Sequence, residues 1–309
     1  MGTRHFTSII LNGEHKVCQY GQWDGYPTYT GVKLLEFIRD NDLDNLKEAL
    51  ANTFITKTLH DDARSYTGST KDTTALYRKV FEKQNELNKN PAENGKWYGI
   101  YDTAMFMLKE SELNAAETDL LLASTRDTGV EILPYIYNRD LGLPPLELFA
   151  IEEEYEEISA FANKECKGDV PPCDAQGYFV VDLDKNKVFM NFDKITWRCN
   201  IDDLPQDIDR TMALFEVKSR WMDIPKTVSS YLDQINEELK EFDQAALTPE
   251  ETKEFLAFCS KKYPHLAAEI RSRYQENRSL SSQIASASSK LTKSQASPDV
   301  KVENIEHSH

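Results

Sequence analysis

Phe6-Thr7-Ser8-Ile9-Ile10-Leu11 and His15-Lys16-Val17-Cys18-Gln19-Tyr20 flank the dipeptide Asn12-Gly13 near the start of the chain. Both flanking segments are rich in β-branched and aromatic residues, which favour strands. Asn-Gly is the pair favoured where both central residues of a tight turn have positive φ. The N-terminus therefore predicts a β-hairpin.

A loop of unusual composition follows the hairpin. Tyr20-Gly21-Gln22-Trp23-Asp24-Gly25-Tyr26-Pro27 combines glycines, aromatic rings, a carboxylate and a proline. This mixture is typical of a shaped, partly exposed loop. A helix is predicted from about Val32, with its apolar side chains on one side: Leu34, Leu35 and Ile38.

The loop has two interpretations. Its rings, with that of Tyr29, form a hydrophobic plug that covers the end of a sheet, or they form a recognition surface in which polar neighbours select a ligand. On the second interpretation the predicted ligand or partner loop comprises Arg4, Gln22, Trp23, Asp24 and Tyr26.

The N-terminal segment resembles the start of the N-terminal-nucleophile hydrolases, in which two strands joined by a hairpin turn lead into a loop with aromatic residues and an Asp. The choloylglycine hydrolase branch of that family opens Met-Cys-Thr. The resemblance covers about the first thirty residues. It implies a nucleophile exposed by removal of Met1, with its α-amine as base. Position 2 is Gly2, which has no nucleophilic atom, and Thr3 becomes N-terminal only if Gly2 is also removed. No catalytic residue is therefore predicted.

The opening Gly2-Thr3-Arg4 and the Tyr-x-Gln-x-Asp-x-Tyr-Pro loop resemble more closely a widespread set of uncharacterised phage, bacterial and fungal proteins. A Val-x-Asp-Leu-Asp hairpin at 180–184 extends the likeness over about 190 residues. The resemblance implies kinship without supplying an activity. Its phage members imply a sharper expectation, a phage protein that binds and blocks a bacterial antiviral complex such as a nuclease assembly.

Composition bounds the class of protein. With 309 residues and 40% hydrophobic content, the chain can bury a full core. A net charge of −16 and a pI near 4.9 argue against general nucleic-acid binding, which needs clustered Lys and Arg. Five cysteines, an odd number, predict a reduced cytoplasmic protein. No apolar run reaches the roughly 18 residues of a membrane span.

Neither a metal nor a cofactor is predicted. His60-Asp61-Asp62 are adjacent residues in a polar segment and do not by default point to one centre, so a solvated loop is favoured. Cys166 and Cys173 are separated by six residues, longer than the short spacing of structural zinc sites.

The fold class predicted is α+β, in three parts. Residues 1–205 form an α/β domain, N-terminal-nucleophile-hydrolase-like by resemblance, in which the first hairpin shares a sheet with a second at 177–192. Residues 206–275 form a helical lobe, with apolar side chains every three or four residues from Val228 and a helix start at Thr248-Pro249. Residues 276–309 form a flexible tail.

Local patterns give finer predictions. Asp44 is expected to cap a second helix, and Thr73 or Thr74 to open a third. Residues 97–101 indicate a buried strand or packed turn, and residues 129–133 a helix that stops near Pro134. Alternation places Asp182 and Asp184 on one strand face, as surface ion pairs.

A run of carboxylates follows Ile151. It is either an exposed helical face or an acidic surface that meets a basic partner. The residues of this acidic surface are Glu152, Glu153, Glu154, Glu156 and Glu157.

Three functions remain open. The first is a non-catalytic, acidic, cytoplasmic interaction protein, of which the phage inhibitor of a host defence complex is the sharper form, with homo-oligomerisation through the C-terminal helices as an option. The second is an amide hydrolase of N-terminal-nucleophile-like fold that uses Arg4, Asp24 and Cys18 around a pocket. The third is a small-molecule binder that sequesters its ligand in the aromatic loop. A pocket with converging polar groups would favour the third over the first.

Overall fold

A computed structural model describes residues 3–58, 71–89, 98–124, 128–163, 175–193, 195–220 and 225–272. The chain divides into two units, Met1–Trp221 and Met222–His309. The first unit therefore extends sixteen residues beyond the boundary predicted at 205. The predicted tail, the 60–62 cluster and both cysteines at 166 and 173 lie outside the described residues.

The first unit is built on a five-stranded sheet of order β2-β1-β5-β6-β7. Its strands are β1 (His5–Leu11), β2 (Glu14–Gly21), β5 (Gly177–Asp182), β6 (Lys187–Phe192) and β7 (Ile195–Asn200). Neighbours pair antiparallel except β1 and β5, which run parallel with His5 opposite Gly177. The prediction that two hairpins share a sheet is confirmed, and the α+β class with it.

Both hairpin turns follow from local chemistry. Asn12 and Gly13 have φ of 56° and 73°, as the Asn-Gly pair predicts. The second turn spans residues 183–186, and Asn186 has φ of 55°. Asp184 lies in this turn and not on the strand face predicted for it, because β5 ends at Asp182. Its carboxylate accepts the amides of Asn12 (2.8 Å) and Gly13 (2.7 Å), so it joins the two turns.

The sheet has a core on each face. One face, with Ile9 and Phe179, packs against α1 (Val32–Asp40) and α2 (Leu43–Ala51), together with α6 (Ile132–Asn138) and α8 (Ile208–Ser219). The other, with Phe6 and Tyr178, packs against α7 (Glu152–Asn163). Because both faces are covered, β1 and β5 are buried along their whole length.

A two-stranded parallel sheet, β3 (Thr53–Thr58) with β4 (Leu146–Ile151), lies beside β2, where the Gln19 side chain donates to the Phe149 carbonyl at 3.4 Å. Neither strand was predicted, nor was β7. Three helices enclose a further apolar cluster: α3 (Lys71–Leu87), α4 (Ile100–Lys109) and α5 (Ala115–Ser124).

Several predicted element ends were wrong. Asp42, not Asp44, caps α2, and its carboxylate accepts the amides of Asp44 and Asn45. The helix α3 begins at Lys71, two residues before the predicted start. Ile100 opens a helix instead of a strand.

The helix predicted to stop near Pro134 instead runs from Ile132 through Pro134 to Asn138. Proline is tolerated there because the first-turn amides of a helix have no intrahelical acceptor. A 3-10 turn, Gly129–Glu131, precedes it.

The second unit is helical over residues 225–272. Its helices are α9 (Val228–Glu241) and α10 (Pro249–Lys262), followed by a 3-10 turn (Pro264–Leu266) and a helical stretch at 267–272. The predicted capping box at Thr248 and Glu251 is present. The buried side chains of α9 fall at three- and four-residue spacing: Val228, Tyr231, Ile235 and Leu239. Within the part of the chain that the structure describes, no helix is long and apolar enough to span a bilayer.

Candidate ligand-binding cleft

The aromatic loop, defined here as residues 22–29, folds back on the start of β1. The Gly25 amide donates to the Thr3 carbonyl at 3.1 Å. Asp24 has φ of 56°, a left-handed conformation that Asp and Asn tolerate better than most residues. The end of the loop forms the first part of a short π-helix, Pro27–Gly31, in which the amide of Thr30 donates to the Tyr26 carbonyl at 2.9 Å.

The imidazole of His5 lies against the base of this loop and is 3% exposed. Three glycines surround it. A Cβ would lie 2.1 Å from its Cε1 at Gly21, 2.7 Å from its Nδ1 at Gly25 and 2.6 Å from its Nε2 at Gly129. Because no other residue lacks a Cβ, glycine is required for the backbone to approach the ring this closely.

Burial determines the charge of His5. Removal of the ring from water disfavours the imidazolium and lowers its pKa to about 4, so the ring is neutral at pH 7. Its Nε2 lies 3.5 Å from Oγ1 of Thr30, whose hydroxyl donates to the Asp24 carbonyl at 2.7 Å. Its Nδ1 makes no hydrogen bond of good geometry among the described residues, although the Thr3 backbone acts on the ring and partly offsets the lowering of its pKa.

A cleft of about 320 Å³ opens between the aromatic loop, the start of α4 and the 3-10 turn at 129–131. Two of the large aromatic residues that line it are strongly exposed, Trp23 at 64% and Tyr29 at 42%. His5 lies on its wall. The other lining residues come from three segments of the chain, 21–30, 99–102 and 128–131: Gly21, Trp23, Asp24, Tyr29, Thr30, Gly99, Ile100, Tyr101, Asp102, Thr128, Gly129, Val130 and Glu131.

Among the described residues that line the cleft, the charged ones are all acidic. Asp24 is exposed, and its carboxylate has no ion pair or hydrogen bond within the described part of the chain. Asp102 accepts the Gly99 amide at 3.3 Å and so caps α4. Glu131 pairs with Lys33, which is not a lining residue. Burial, then the carboxylates Glu131 and Asp102, raise the pKa of Tyr101.

Lys33 is held at the rim of the cleft by groups of the cleft itself. Its ammonium donates to the Tyr29 hydroxyl at 2.7 Å and to Glu131, and it lies 4.0 Å from the centre of the Tyr29 ring. Partial burial alone would lower the pKa of Lys33, but these two hydrogen bonds raise it. An aromatic ring and a carboxylate therefore already bind one ammonium here.

The structure brings only part of the predicted ligand loop to the cleft. Trp23 and Asp24 line it. Arg4, Gln22 and Tyr26 do not: the Arg4 carbonyl accepts the Gly177 amide at 3.2 Å, Gln22 accepts the Tyr20 hydroxyl at 2.5 Å, and Tyr26 packs on Phe192.

Sequence reasoning missed most of the wall. Several lining residues belong to elements far from the loop in sequence, and no local pattern predicts that these elements approach it: His5, Tyr101, Asp102 and Glu131. The one available signal was the pair Gly21 and Gly25 around an aromatic loop, since glycine near a strand end marks a close backbone approach.

The predicted acidic surface lies on the first two turns of α7. Glu153 and Glu156 are exposed, whereas Glu152, Glu154 and Glu157 are partly buried. Acidic residues at a helix start also stabilise the helix dipole, so this run has a structural role in either interpretation.

The candidate nucleophiles are enclosed. Thr3 is 4% exposed and Cys18 is 3% exposed. Burial, and then the charge of Glu154, raise the pKa of the Cys18 thiol far above that of a reactive cysteine. The carboxylate of Asp24 lines the cleft, but Cys18 does not.

A serine–histidine pair is also present in the core. Oγ of Ser8 lies 2.6 Å from Nδ1 of His15, and Asp182 acts on the His15 charge from nearby. Ser8 is 0% exposed, so its hydroxyl cannot reach a substrate in this conformation. Among the described residues, no group of three or more His, Cys, Asp or Glu side chains could hold a metal ion.

A second cavity, of about 390 Å³, shares Tyr101 with the cleft and is mainly apolar, with Met105, Leu108 and Leu143 in its wall. Two charged residues line it. Arg139 donates two hydrogen bonds to Asp119, at 2.9 and 2.7 Å, and the Asp140 carboxylate accepts the Gly142 amide at 2.8 Å. Both charged groups are therefore already paired, and most of the remaining wall is apolar.

No protein-family model matches the chain, and no curated protein or solved structure matches it either.

Proposed function

We propose that this chain is a non-catalytic binding protein and that the cleft beneath the aromatic loop is its ligand site. The observation that carries the proposal is the concentration of exposed aromatic surface. Of the seven exposed large apolar residues in the described part of the chain, three belong to the aromatic loop: Trp23, Tyr26 and Tyr29. Clustered exposed rings beside a concave, polar-lined site are typical of ligand-binding and interaction surfaces.

The size of the cleft favours a small ligand. Ligand sites usually measure roughly 300–1,000 Å³, and about 320 Å³ lies at the lower end. Such a volume accommodates a small molecule or one side chain of a partner. Converging polar groups, His5, Asp24 and Thr30 among them, favour sequestration of a ligand in the aromatic loop over contact through a flat surface.

Binding without turnover is favoured over the hydrolase alternative. Thr3 and Cys18 are both buried, and a nucleophile must reach the substrate and a base. Gly2 supplies no such group.

A second candidate is a protein that binds another macromolecule through its acidic surface. Its support is the net charge of −16 and the exposed Glu153 and Glu156 on α7. The inhibitor of a bacterial defence complex is the form implied by resemblance. Self-association through the C-terminal helices has less support, since no large apolar side chain is exposed within residues 225–272. Affinity capture from host lysate, with sizing of the captured complex, tests this candidate.

The main proposal is tested by equilibrium dialysis of the purified protein against a small-molecule extract, with mass spectrometry of the retained compounds. Trp23→Ala is the test variant, and Phe81→Ala, which removes a similarly exposed ring from α3, is the matched control. We expect a compound that the natural protein and Phe81→Ala retain and Trp23→Ala loses. Retention of the same compounds by all three proteins, or of none, would overturn the proposal.

A further inference from the structure

We propose that the cleft selects a positively charged nitrogen group, a primary ammonium or a guanidinium. This inference rests on the proposed function, because it names the chemical class of the ligand that the same cleft would bind. It is carried by four features of the cleft.

The first feature is the sign of the lining charge. Asp24, Asp102 and Glu131 line the cleft, and no Lys or Arg is among the lining residues that the structure describes. A ligand carrying a negative charge would be repelled by these carboxylates, whereas a cation is attracted to them.

The second feature is the carboxylate of Asp24. It is exposed and has neither an ion pair nor a hydrogen bond within the described residues, unlike Asp102 and Glu131. The positive φ of Asp24 places an acidic residue in a backbone conformation that few residues adopt. An unpaired carboxylate beside the exposed Trp23 ring is available to a ligand.

The third feature is the ammonium that the rim already binds. Lys33 is held by the Tyr29 hydroxyl at 2.7 Å, by the Tyr29 ring at 4.0 Å and by Glu131. This is the combination of aromatic face and carboxylate by which proteins recognise organic cations. The Lys33 contacts show that Tyr29 and Glu131, two residues that line the cleft, bind an ammonium of the chain itself.

The fourth feature is the neutral floor. Burial lowers the pKa of His5 to about 4, although the Thr3 backbone partly offsets the shift, so the ring is neutral at pH 7. Its Nδ1 makes no hydrogen bond of good geometry among the described residues, so the ring adds hydrogen-bonding capacity without positive charge. The start of α4 would attract anions, but the Asp102 carboxylate already occupies its cap. Neither element therefore favours an anionic ligand.

Two sources could supply this chemistry, a free small amine or guanidine and a Lys or Arg side chain of a partner protein. The experiment contains an arm for each. Its probes are n-butylammonium, n-butylguanidinium, the neutral n-butylurea, the anion pentanoate, and an acetylated, amidated Ala-Arg-Ala peptide. Binding to the full chain is measured by isothermal titration calorimetry in buffers of low and high salt.

Asp24→Asn is the test variant, because Asn tolerates positive φ as well as Asp does and only the charge is removed. Glu48→Gln, at an exposed position on α2, removes the same charge elsewhere. Circular dichroism and thermal unfolding confirm that both variants fold.

We expect the cationic probes to bind and n-butylurea and pentanoate to bind at least about tenfold more weakly. Asp24→Asn should lower the affinity for the cationic probes by about tenfold, and Glu48→Gln should leave that affinity unchanged. High salt should weaken binding. Tighter binding of the peptide than of n-butylguanidinium would indicate a partner's side chain, and the reverse order a free small molecule.

Absence of binding by every cationic probe would overturn the inference, as would equal binding of n-butylurea or an unchanged affinity in Asp24→Asn. If n-butylurea binds the natural protein as tightly as the cations do, and Trp23→Ala abolishes that binding, the cation preference is overturned and the proposed function stands. Cation binding that is equal in the natural protein, Trp23→Ala and Asp24→Asn would place the ligand outside the cleft and overturn both.

Discussion

Thr28 and Glu216 lie 188 residues apart in the chain and are joined by two hydrogen bonds. The Thr28 amide donates to Oε2 of Glu216 at 3.1 Å, and the Thr28 hydroxyl donates to the same oxygen at 2.5 Å. Glu216 is 1% exposed and is also paired with Arg220 at 3.1 Å. A buried carboxylate of α8 therefore fixes the π-helix that carries Tyr29 into the cleft.

The Glu216→Ala substitution should lower the free energy of unfolding by about 2–3 kcal/mol, because it leaves the Thr28 amide without its charged acceptor. Urea unfolding followed by circular dichroism measures this change. Glu48→Ala, on the exposed face of α2, is the control and should change stability by less than about 0.5 kcal/mol. Equal effects of the two substitutions would contradict the role given to Glu216.

Acid should destabilise the protein through its two buried histidines. Burial lowers the pKa of His5 and of His15 to about 4, against 6.5 for the exposed ring. The unfolded chain therefore binds more protons than the folded protein between pH 6.5 and about 4, and stability falls as pH falls through that range. The loss amounts to about 3 kcal/mol per histidine at its limit.

Urea unfolding at pH 7.0, 5.5 and 4.5 measures this dependence. His15→Gln keeps a hydrogen-bonding side chain near Ser8 but cannot be protonated. It should be less stable than the natural protein at pH 7 and should lose less stability on acidification. Parallel pH profiles of the two proteins would show that His15 does not titrate in this way.

Gly129→Ala should destabilise the first unit more than Gly13→Ala does. Both residues have positive φ, 51° and 73°, so each substitution costs about 1 kcal/mol in backbone conformation. Only at Gly129 does the new Cβ meet the ring of His5, at 2.6 Å, whereas nothing lies within 4 Å at Gly13. Thermal unfolding of both variants isolates the steric contribution, and indistinguishable melting temperatures would disprove the close contact.

Trp23→Ala should leave stability almost unchanged, within about 0.5 kcal/mol, because the ring is 64% exposed. Phe179→Ala, in the fully buried core, should cost about 3–5 kcal/mol in the same urea-unfolding assay and shows that the assay is sensitive. A loss above about 2 kcal/mol for Trp23→Ala would favour the hydrophobic plug over a recognition surface.

The elements that the sequence predicted well are those whose cause is local. Asn12-Gly13 forces the first turn, and Thr248 with Glu251 begins α10, because the backbone groups they satisfy lie within three residues. The strands β3 and β4, which were not predicted, depend on contacts that are not local. Each strand is six residues long, and its backbone pairs with the other strand, about ninety residues away in the chain.

The sequence by itself determined the two hairpins, the amphipathic α1 and α9, and the aromatic loop that begins at Gln22, because turn chemistry and apolar spacing act over a few residues. The tertiary structure alone decided that β1 pairs with β5, and that His5, the loop, α4 and the 3-10 turn enclose one cleft. It also decided that the Asp24 carboxylate is left without a partner among the described residues while Glu131 is bound by Lys33. Contacts between distant segments depend on how the packed core places them, and no short stretch of sequence contains that information.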